Sequence, residues 1–453
     1  MKRLFGFTKK LINSDYIFSV FTKLLGVVVG IAVGSITARY FGVELRGVLA
    51  VVQNDVGLYS IVIGLGIYHA YPFYRKKEPE LFHDYINNVT GFFLLLEAIA
   101  VVVAFLVYNL GDVYFAFSIL FIPEAAYKIQ LGYAILVEYP RRRNFSTIFI
   151  YIIEIVTLVI LWCTIEASVT TVLGYYIFTA VLSLMLVFVN LRVNPLKIRP
   201  TLKRMPEFVK FGFVYMLVSL CMNVNYKVDI QMLKYFDNVS YADIGIYSSG
   251  VSLATKIWLI PDAVKDILLS KLMKGGKETE VAKVLRVNLA LCLLATLMLV
   301  VTGKPLVWLF YGESFADSYY VMIWMLIGVI GMIFYKMVYS YNVSRGRRWI
   351  NLVILGAAAV VNVVGNLFAI PVWGIWGAAA VSVISYVVCG ICFLVYFRIA
   401  SGISMFKLIF VQREDIVMIK NFFVGGKTVK KSGMIAENAE GSDEKVETEE
   451  KEN

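Results

Sequence analysis

The stretch NVNYKVDIQMLKYF, residues 223–236, decides the fold. It closes an apolar run that begins near Phe208, yet it carries two lysines, an aspartate, a glutamine and two asparagines. A charge at the centre of a bilayer costs about 3 kcal/mol even on the mildest scale, so these side chains must meet partners or water. On a helix, Asn223, Lys227, Gln231 and Lys234 fall on one face, which predicts a polar stripe lining a cavity. Asp229 stands about 200° round from Lys227 at roughly 100° per residue, so it is aimed at a neighbouring helix instead. The stretch therefore reads as one membrane helix inside a larger bundle.

The rest of the chain agrees. Of 453 residues, 59% are hydrophobic and only 17% charged, and the mean hydropathy is +0.75. That composition excludes a large soluble enzyme and predicts an all-α polytopic membrane protein. The formal net charge is +11. Its basic residues fall in short loops between apolar runs, and no nucleic-acid motif accompanies them, so the bilayer is the partner and nucleic acid is not. All five cysteines lie in apolar runs, Cys389 and Cys392 included, and the only histidines are His69 and His83. No metal centre, redox pair or cofactor is expected. The basic start MKRLFGFTKKLINSDY leads into a run reaching Tyr40, too long for a signal-peptide core, and reads as an uncleaved first span.

Twelve spans are expected, starting near Tyr16, Gly47, Asp84, Val113, Asn144, Ser168, Met205, Ala242, Val281, Ser318, Arg348 and Gly374. Alternate loops then collect the basic residues: Lys2, Arg3, Lys9 and Lys10; Arg75 to Lys77; Arg141 to Arg143; Arg192 to Lys210; Lys271 to Lys283; Arg345 to Arg348. The other loops offer little beyond Arg46 and Lys304. One missed span would reverse the bias downstream, so both termini are expected in the cytoplasm. No loop is large enough to house an active site, and no phosphate-binding glycine loop is present, so the chain reads as a non-enzyme without direct ATP use.

The loop from Arg192 to Lys210 carries Pro195, Pro200 and Pro206 and divides the spans six and six. Expected units are 1–195, 196–400 and a cytoplasmic tail over 401–453. Within the tail, residues 403–423 suit one amphipathic interfacial helix, and the acidic end suits disorder. An internal echo supports the division: ARYFGVELRGVLAVV at 38–52 parallels LKYFDNVSYADIGIYS at 233–248.

Three segments carry a resemblance. They are GVVVGIAVGSITARYFGVELRGVLAVV; VDIQMLKYFDNVSYADIGIYSSGVSLATKIWLIPDAVKDILLSKL; and YGESFADSYYVMIWMLIGVIG with NVSRGRRWINLVILGAAAVVNVVGNLFAIPVWGIWGAAAVSVISY. In these the chain resembles the multidrug/oligosaccharidyl-lipid/polysaccharide flippase superfamily, and within it the O-antigen and capsule repeat-unit flippases. The resemblance implies two six-helix lobes in a V around a cavity that opens alternately to each side. It implies a cargo, a short oligosaccharide on a polyprenyl pyrophosphate, moved from the cytoplasmic to the outer leaflet of a bacterial or archaeal cell membrane. Polysaccharide polymerase machinery is the further partner implied. Lipid II flippases of the superfamily usually add two C-terminal spans, which counts against that branch here.

The membrane charges then divide by sign. Lys227, Lys234, Lys256, Lys336 and Arg39 suit a cationic cavity, because pyrophosphate needs compensation in a low-dielectric slab. Snorkelling or interhelical ion pairing is the plainer reading of the same residues. In the first half the charges are acidic: Asp55, Glu97, Glu124 and Glu154, with Lys128 one turn after Glu124. With Asp229 they form the candidate set for coupling to H+ or Na+; the plainer reading pairs Glu124 with Lys128 and leaves the rest to polar neighbours. Tyr68, Tyr71, Tyr74, Tyr226, Tyr335, Tyr339 and Tyr341 suit interfacial belts or sugar stacking. Pro72 and Pro261 are hinge candidates or static kinks. Competing functions are a cation-coupled multidrug exporter and a membrane polymerase or glycosyltransferase. The lysines argue against the first, and the short basic loops against the second.

Overall fold

In hydrocarbon every backbone N–H and C=O must be satisfied within its own segment, so apolar runs of this kind become helices. The computed structural model describes residues 15–273, 275–412 and 415. Its long helices are α1 (Asp15–Gly64), α3 (Leu81–Asn109), α4 (Val113–Glu138), α5 (Pro140–Thr164), α6 (Val169–Leu191), α7 (Met205–Leu233), α10 (Glu278–Tyr311), α11 (Ser318–Ser344) and α12 (Arg348–Ser401). Shorter ones are α2 (Ala70–Lys77), α8 (Tyr241–Thr255), α9 (Leu259–Met273) and α13 (Met405–Ile409). Among the described residues, nine helices are long and apolar enough to cross a membrane.

Several expected loops are absent. The first two spans form the single 50-residue α1, which turns at Gly42 with φ 71°. The last two form the 54-residue α12, which turns at Gly374 with φ 55°. Only glycine enters that region without a Cβ penalty, so one residue replaces a loop. The span expected from Ala242 is divided instead, into α8 and α9 joined by a 3-10 turn at Lys256–Trp258. Pro261 explains the division: it lacks an N–H, and its ring crowds the carbonyl four residues back, at Ile257. Pro72 stands in the first turn of α2, beyond a break at Leu65 and Gly66. α4 runs through Pro123 without a break.

Beyond α12, the expected helix over 403–423 does not continue past Ile409, because Phe410 turns extended. The Asp415 carboxylate is held by the buried Arg286 guanidinium of α10, at 2.6 and 2.9 Å, which folds the segment back onto that helix. The basic residues before Asp15 and the acidic end lie outside the described residues.

The internal echo has a physical counterpart. Gly47 of α1 and Gly245 of α8 meet face to face. A Cβ on Gly47 would overlap the carbonyl of Tyr241 and lie 3.1 Å from the Gly245 nitrogen. A Cβ on Gly245 would overlap the carbonyl of Val43 and lie 3.1 Å from the Gly47 nitrogen. Val43 precedes Gly47, and Tyr241 precedes Gly245, by the same four residues. The contact is thus reciprocal, each glycine meeting the backbone one turn before the other. A second backbone contact joins Gly66, just past the end of α1, to Gly212 of α7.

Overpacking a close contact costs about 1–3 kcal/mol, so valine at Gly47 or Gly245 should part the helices there. A cysteine placed at Ser248, which is 8% exposed, should then react with a water-soluble thiol reagent. Valine at Gly132, where a Cβ meets nothing within 4 Å, should leave it protected. Protection in all three would mean that this approach does not hold the halves together.

Candidate functional site between the two halves

The polar stripe of α7 faces the first half of the chain. Gln231 accepts a hydrogen bond from Asn54 of α1 at 3.1 Å, and Asn54 also donates to the Lys227 carbonyl at 3.0 Å. Asn223 donates to the Ser219 carbonyl at 2.9 Å. Lys227 reaches over a glycine: its Nζ lies 3.3 Å from where a Cβ of Gly57 would stand. Lys256, at the break between α8 and α9, does the same over Gly30, at 3.4 Å. Both are half-buried, and neither makes an ion pair with a described residue.

A third cation joins them, one that loop counting had treated as a surface charge. Arg46 lies near Lys256, Tyr311 and Tyr175, and its Nε is buried and bonded to nothing. Its position one residue before Gly47, within the echoed segment, was the available signal.

The other sequence-derived cations are placed differently. Lys234 pairs with Asp55 of α1 at 3.0 Å, with side chains 4% and 0% exposed, and its Nζ lies over the rings of Phe115 and Tyr235. Lys336 holds both oxygens of Asp262 at 2.8 Å and lies over Trp258. Arg39 is exposed and donates to the carbonyls of Leu309 and Phe310, at 2.6 and 3.3 Å, at the end of α10. There it offsets the negative end of the helix dipole.

Removing one partner of a buried pair leaves an uncompensated charge, at a cost of about 3–5 kcal/mol, whereas removing both is close to neutral. Asp55→Leu or Lys234→Met alone should therefore lower the melting temperature in detergent markedly, and the double variant should recover most of the loss. Equal losses in all three would mean that the pair stabilises nothing.

Among the candidate coupling carboxylates, Glu124 pairs with Lys128 at 3.0 Å, and Lys128 also donates to Ser183. Glu154 accepts from Tyr175 at 2.8 Å. Glu97 is half-buried near Glu124. Asp229 differs from all of these. It is 1% exposed, and it accepts from Tyr247 of α8 at 2.5 Å, Ser382 of α12 at 3.0 Å and the Ile230 amide. No cationic side chain among the described residues accompanies it.

Behind it lies an oxygen-rich network. Asn366 donates to the Asn362 side-chain oxygen at 2.8 Å, and Asn362 donates to the Asn225 carbonyl at 3.3 Å. Ser385 donates to the Asn225 side-chain oxygen at 2.5 Å. The Asn366 side-chain oxygen is buried and bonded to nothing. A buried carboxylate in a network of amide and hydroxyl groups offers the oxygen chemistry that a hard cation takes. Sequence reading found Asp229 but not its partners, whose trace was the NVVGN and SVIS patterns in the last two expected spans.

No family model and no curated protein matches this chain. Solved structures do. Lipid II flippase MurJ in an inward closed conformation superposes with TM-score 0.69 at 16% identity, over 84% of this chain and 87% of that one. An inward-facing multidrug resistance MATE family transporter of the MOP superfamily gives TM-score 0.61 at 13% identity, over 83% and 94%. The chain has the fold of the multidrug/oligosaccharidyl-lipid/polysaccharide flippase superfamily.

The two neighbours are named for lipid II and for multidrug resistance, so the substrate must be argued from the side chains. One end of this example of the fold gathers basic segments. Arg204 pairs with Glu78 at 2.7 Å, and this hydrogen bond holds the Glu78 carboxyl below its usual range. At the same end Arg345 pairs with Glu278 at 2.9 Å, and Arg348 donates to Tyr215 at 3.1 Å.

Proposed function

We propose that the protein flips polyprenyl-pyrophosphate-linked oligosaccharide repeat units from the cytoplasmic to the outer leaflet of a bacterial or archaeal cell membrane, supplying surface polysaccharide assembly. The observation that carries this reading is the set of three cations without carboxylate partners among the described residues, Lys227, Lys256 and Arg46, at the junction of the two halves. An unpaired cation there is costly unless an anionic cargo visits it. A drug exporter for cationic compounds would call for the opposite sign.

In this reading the chain crosses the membrane twelve times. The glycine turns of α1 and α12 each separate two crossings, and α8 with α9 makes one. Spans 1–6 and 7–12 form lobes, 1–195 and 196–400, with both termini and the tail at 401–453 in the cytoplasm, and the basic end faces inward. The Gly47–Gly245 contact then closes the outer end. Pyrophosphate docks on the cations, the prenyl tail stays in lipid, and the lobes rock about the glycine contacts. A cation at Asp229, H+ or Na+, resets the cycle; Glu97, Glu124, Glu154 and Asp55 are partnered within the fold or lack such a network.

Binding tests this directly. Undecaprenyl pyrophosphate should bind the purified protein in nanodiscs far more tightly than undecaprenol. A protein that bound a lipophilic cation such as ethidium and ignored the pyrophosphate would be a drug exporter instead.

A further inference from the structure

The geometry points to a saccharide-binding subsite at the cytoplasmic mouth of the lobe junction, built from Tyr68, His69, Tyr133, Tyr215 and Tyr339. It rests on the reading of a lipid-linked oligosaccharide as cargo and adds where the sugars sit.

The rings come from five places in the chain and from both halves. Tyr68 and His69 lie in the 3-10 turn after α1, Tyr133 on α4, Tyr215 on α7 and Tyr339 on α11. Tyr68 and Tyr133 have centroids 4.3 Å apart, and His69 stacks on Tyr215 at 4.4 Å. Tyr339 lies within electrostatic range of Tyr68, Tyr133 and Tyr215. All five are half-buried, each keeping some accessible surface, whereas Tyr71, Tyr85, Tyr247 and Tyr386 are fully buried and serve packing.

Polar groups edge the cluster. Tyr68 and Ser219 share a hydrogen bond at 3.5 Å, and Arg348 both donates to the Tyr215 hydroxyl and lies 5.3 Å from its ring. A hexopyranose presents an apolar C–H face and a rim of hydroxyls. Ring faces take the first, while phenol, serine and guanidinium groups take the second.

The cluster is continuous with the cationic site. Tyr215, Ser219, Asn223, Lys227 and Gln231 succeed one another at i, i+4 and form one ridge of α7. That ridge is the one meeting the first half, through His69, Tyr68, Gly57 and Asn54. From Tyr215 to Lys227 the helix rises roughly 18 Å. A cargo whose pyrophosphate sits on Lys227 therefore lays its sugars along the ridge towards the rings. Rings that merely sealed the lobes would have no need of this polar track.

The test uses the full chain in its own membranes. A photoreactive p-benzoylphenylalanine is placed singly at Tyr215, Tyr339 or Asn223, and irradiated adducts are read by mass spectrometry. Saccharide-bearing adducts at Tyr215 and Tyr339 are expected. Such adducts at Asn223 alone would overturn the subsite and leave the cargo standing. None at any position would remove the cargo reading and the subsite with it. In parallel, Tyr68→Leu/Tyr339→Leu should weaken binding of the extracted glycolipid about tenfold, the equivalent of one or two aromatic contacts. Bare undecaprenyl pyrophosphate should bind this variant as before. Equal loss for both lipids would assign the rings to sealing the lobes.

Discussion

Replacing Lys227 and Lys256 together with alanine should abolish flipping without harming the fold, and should leave the protein as stable as before or more so. The sign of the stability change follows from the absence of ion-pair partners among the described residues. A half-buried ammonium with no ion pair is paid for in desolvation and returns little Coulomb energy, so its removal relieves a cost. Lys234 behaves oppositely, since its removal strands Asp55 at 0% exposure. The function should fall steeply. Losing one member of a desolvated charge pair with the cargo costs about 2–5 kcal/mol of binding, so the double variant should bind undecaprenyl pyrophosphate at least a hundredfold more weakly. Arg46→Ala should follow the same pattern. Melting curves and nanodisc binding on one set of variants check both halves of this expectation. Full transport by the double variant would remove the cationic site.

Asp229→Asn should uncouple transport from the ion gradient. The amide is isosteric, and its oxygen still accepts from Tyr247 or Ser382, so the fold should persist. What it loses is the negative charge that would hold a cation at this position. Wild-type protein should gain thermal stability in the presence of its coupling ion, by about 2.7 kcal/mol at a hundred times the dissociation constant. A rise in NaCl relative to KCl identifies sodium, and a dependence on pH alone identifies the proton. The variant should show neither response, and its flipping rate should equal the gradient-free rate. Glu97→Gln and Glu154→Gln should keep the response. If they lost it while Asp229→Asn kept it, coupling would belong to the first lobe.

Sequence and structure agree where local rules suffice. Hydropathy alone predicts helices that cross a membrane, and the four-residue spacing from Asn223 to Gln231 already placed those groups on one ridge. The division of charges was less legible. Lys234 and Asp55 are 179 residues apart, and only interhelical register shows that they pair, as do Lys336 and Asp262. Arg46 hid because the positive-inside rule treats any cation near a turn as a loop charge. The breaks at Gly42 and Gly374 were legible as span boundaries, expected near Gly47 and Gly374; hydropathy missed only that a single glycine replaces the polar loop. The Asp229 network hid because its asparagines and serines are scattered through small-residue spans, where they read as packing.

The cargo itself can be identified in living cells. The protein would be depleted in its own cell and the polyprenyl-linked sugars extracted and sided with an impermeant glycosidase. Complete repeat units should accumulate on the cytoplasmic face. Truncated sugars would indicate a transferase, and complete units exposed outside would indicate a polymerase. Either result, or no change in the glycolipid pool, would contradict a flippase of this cargo.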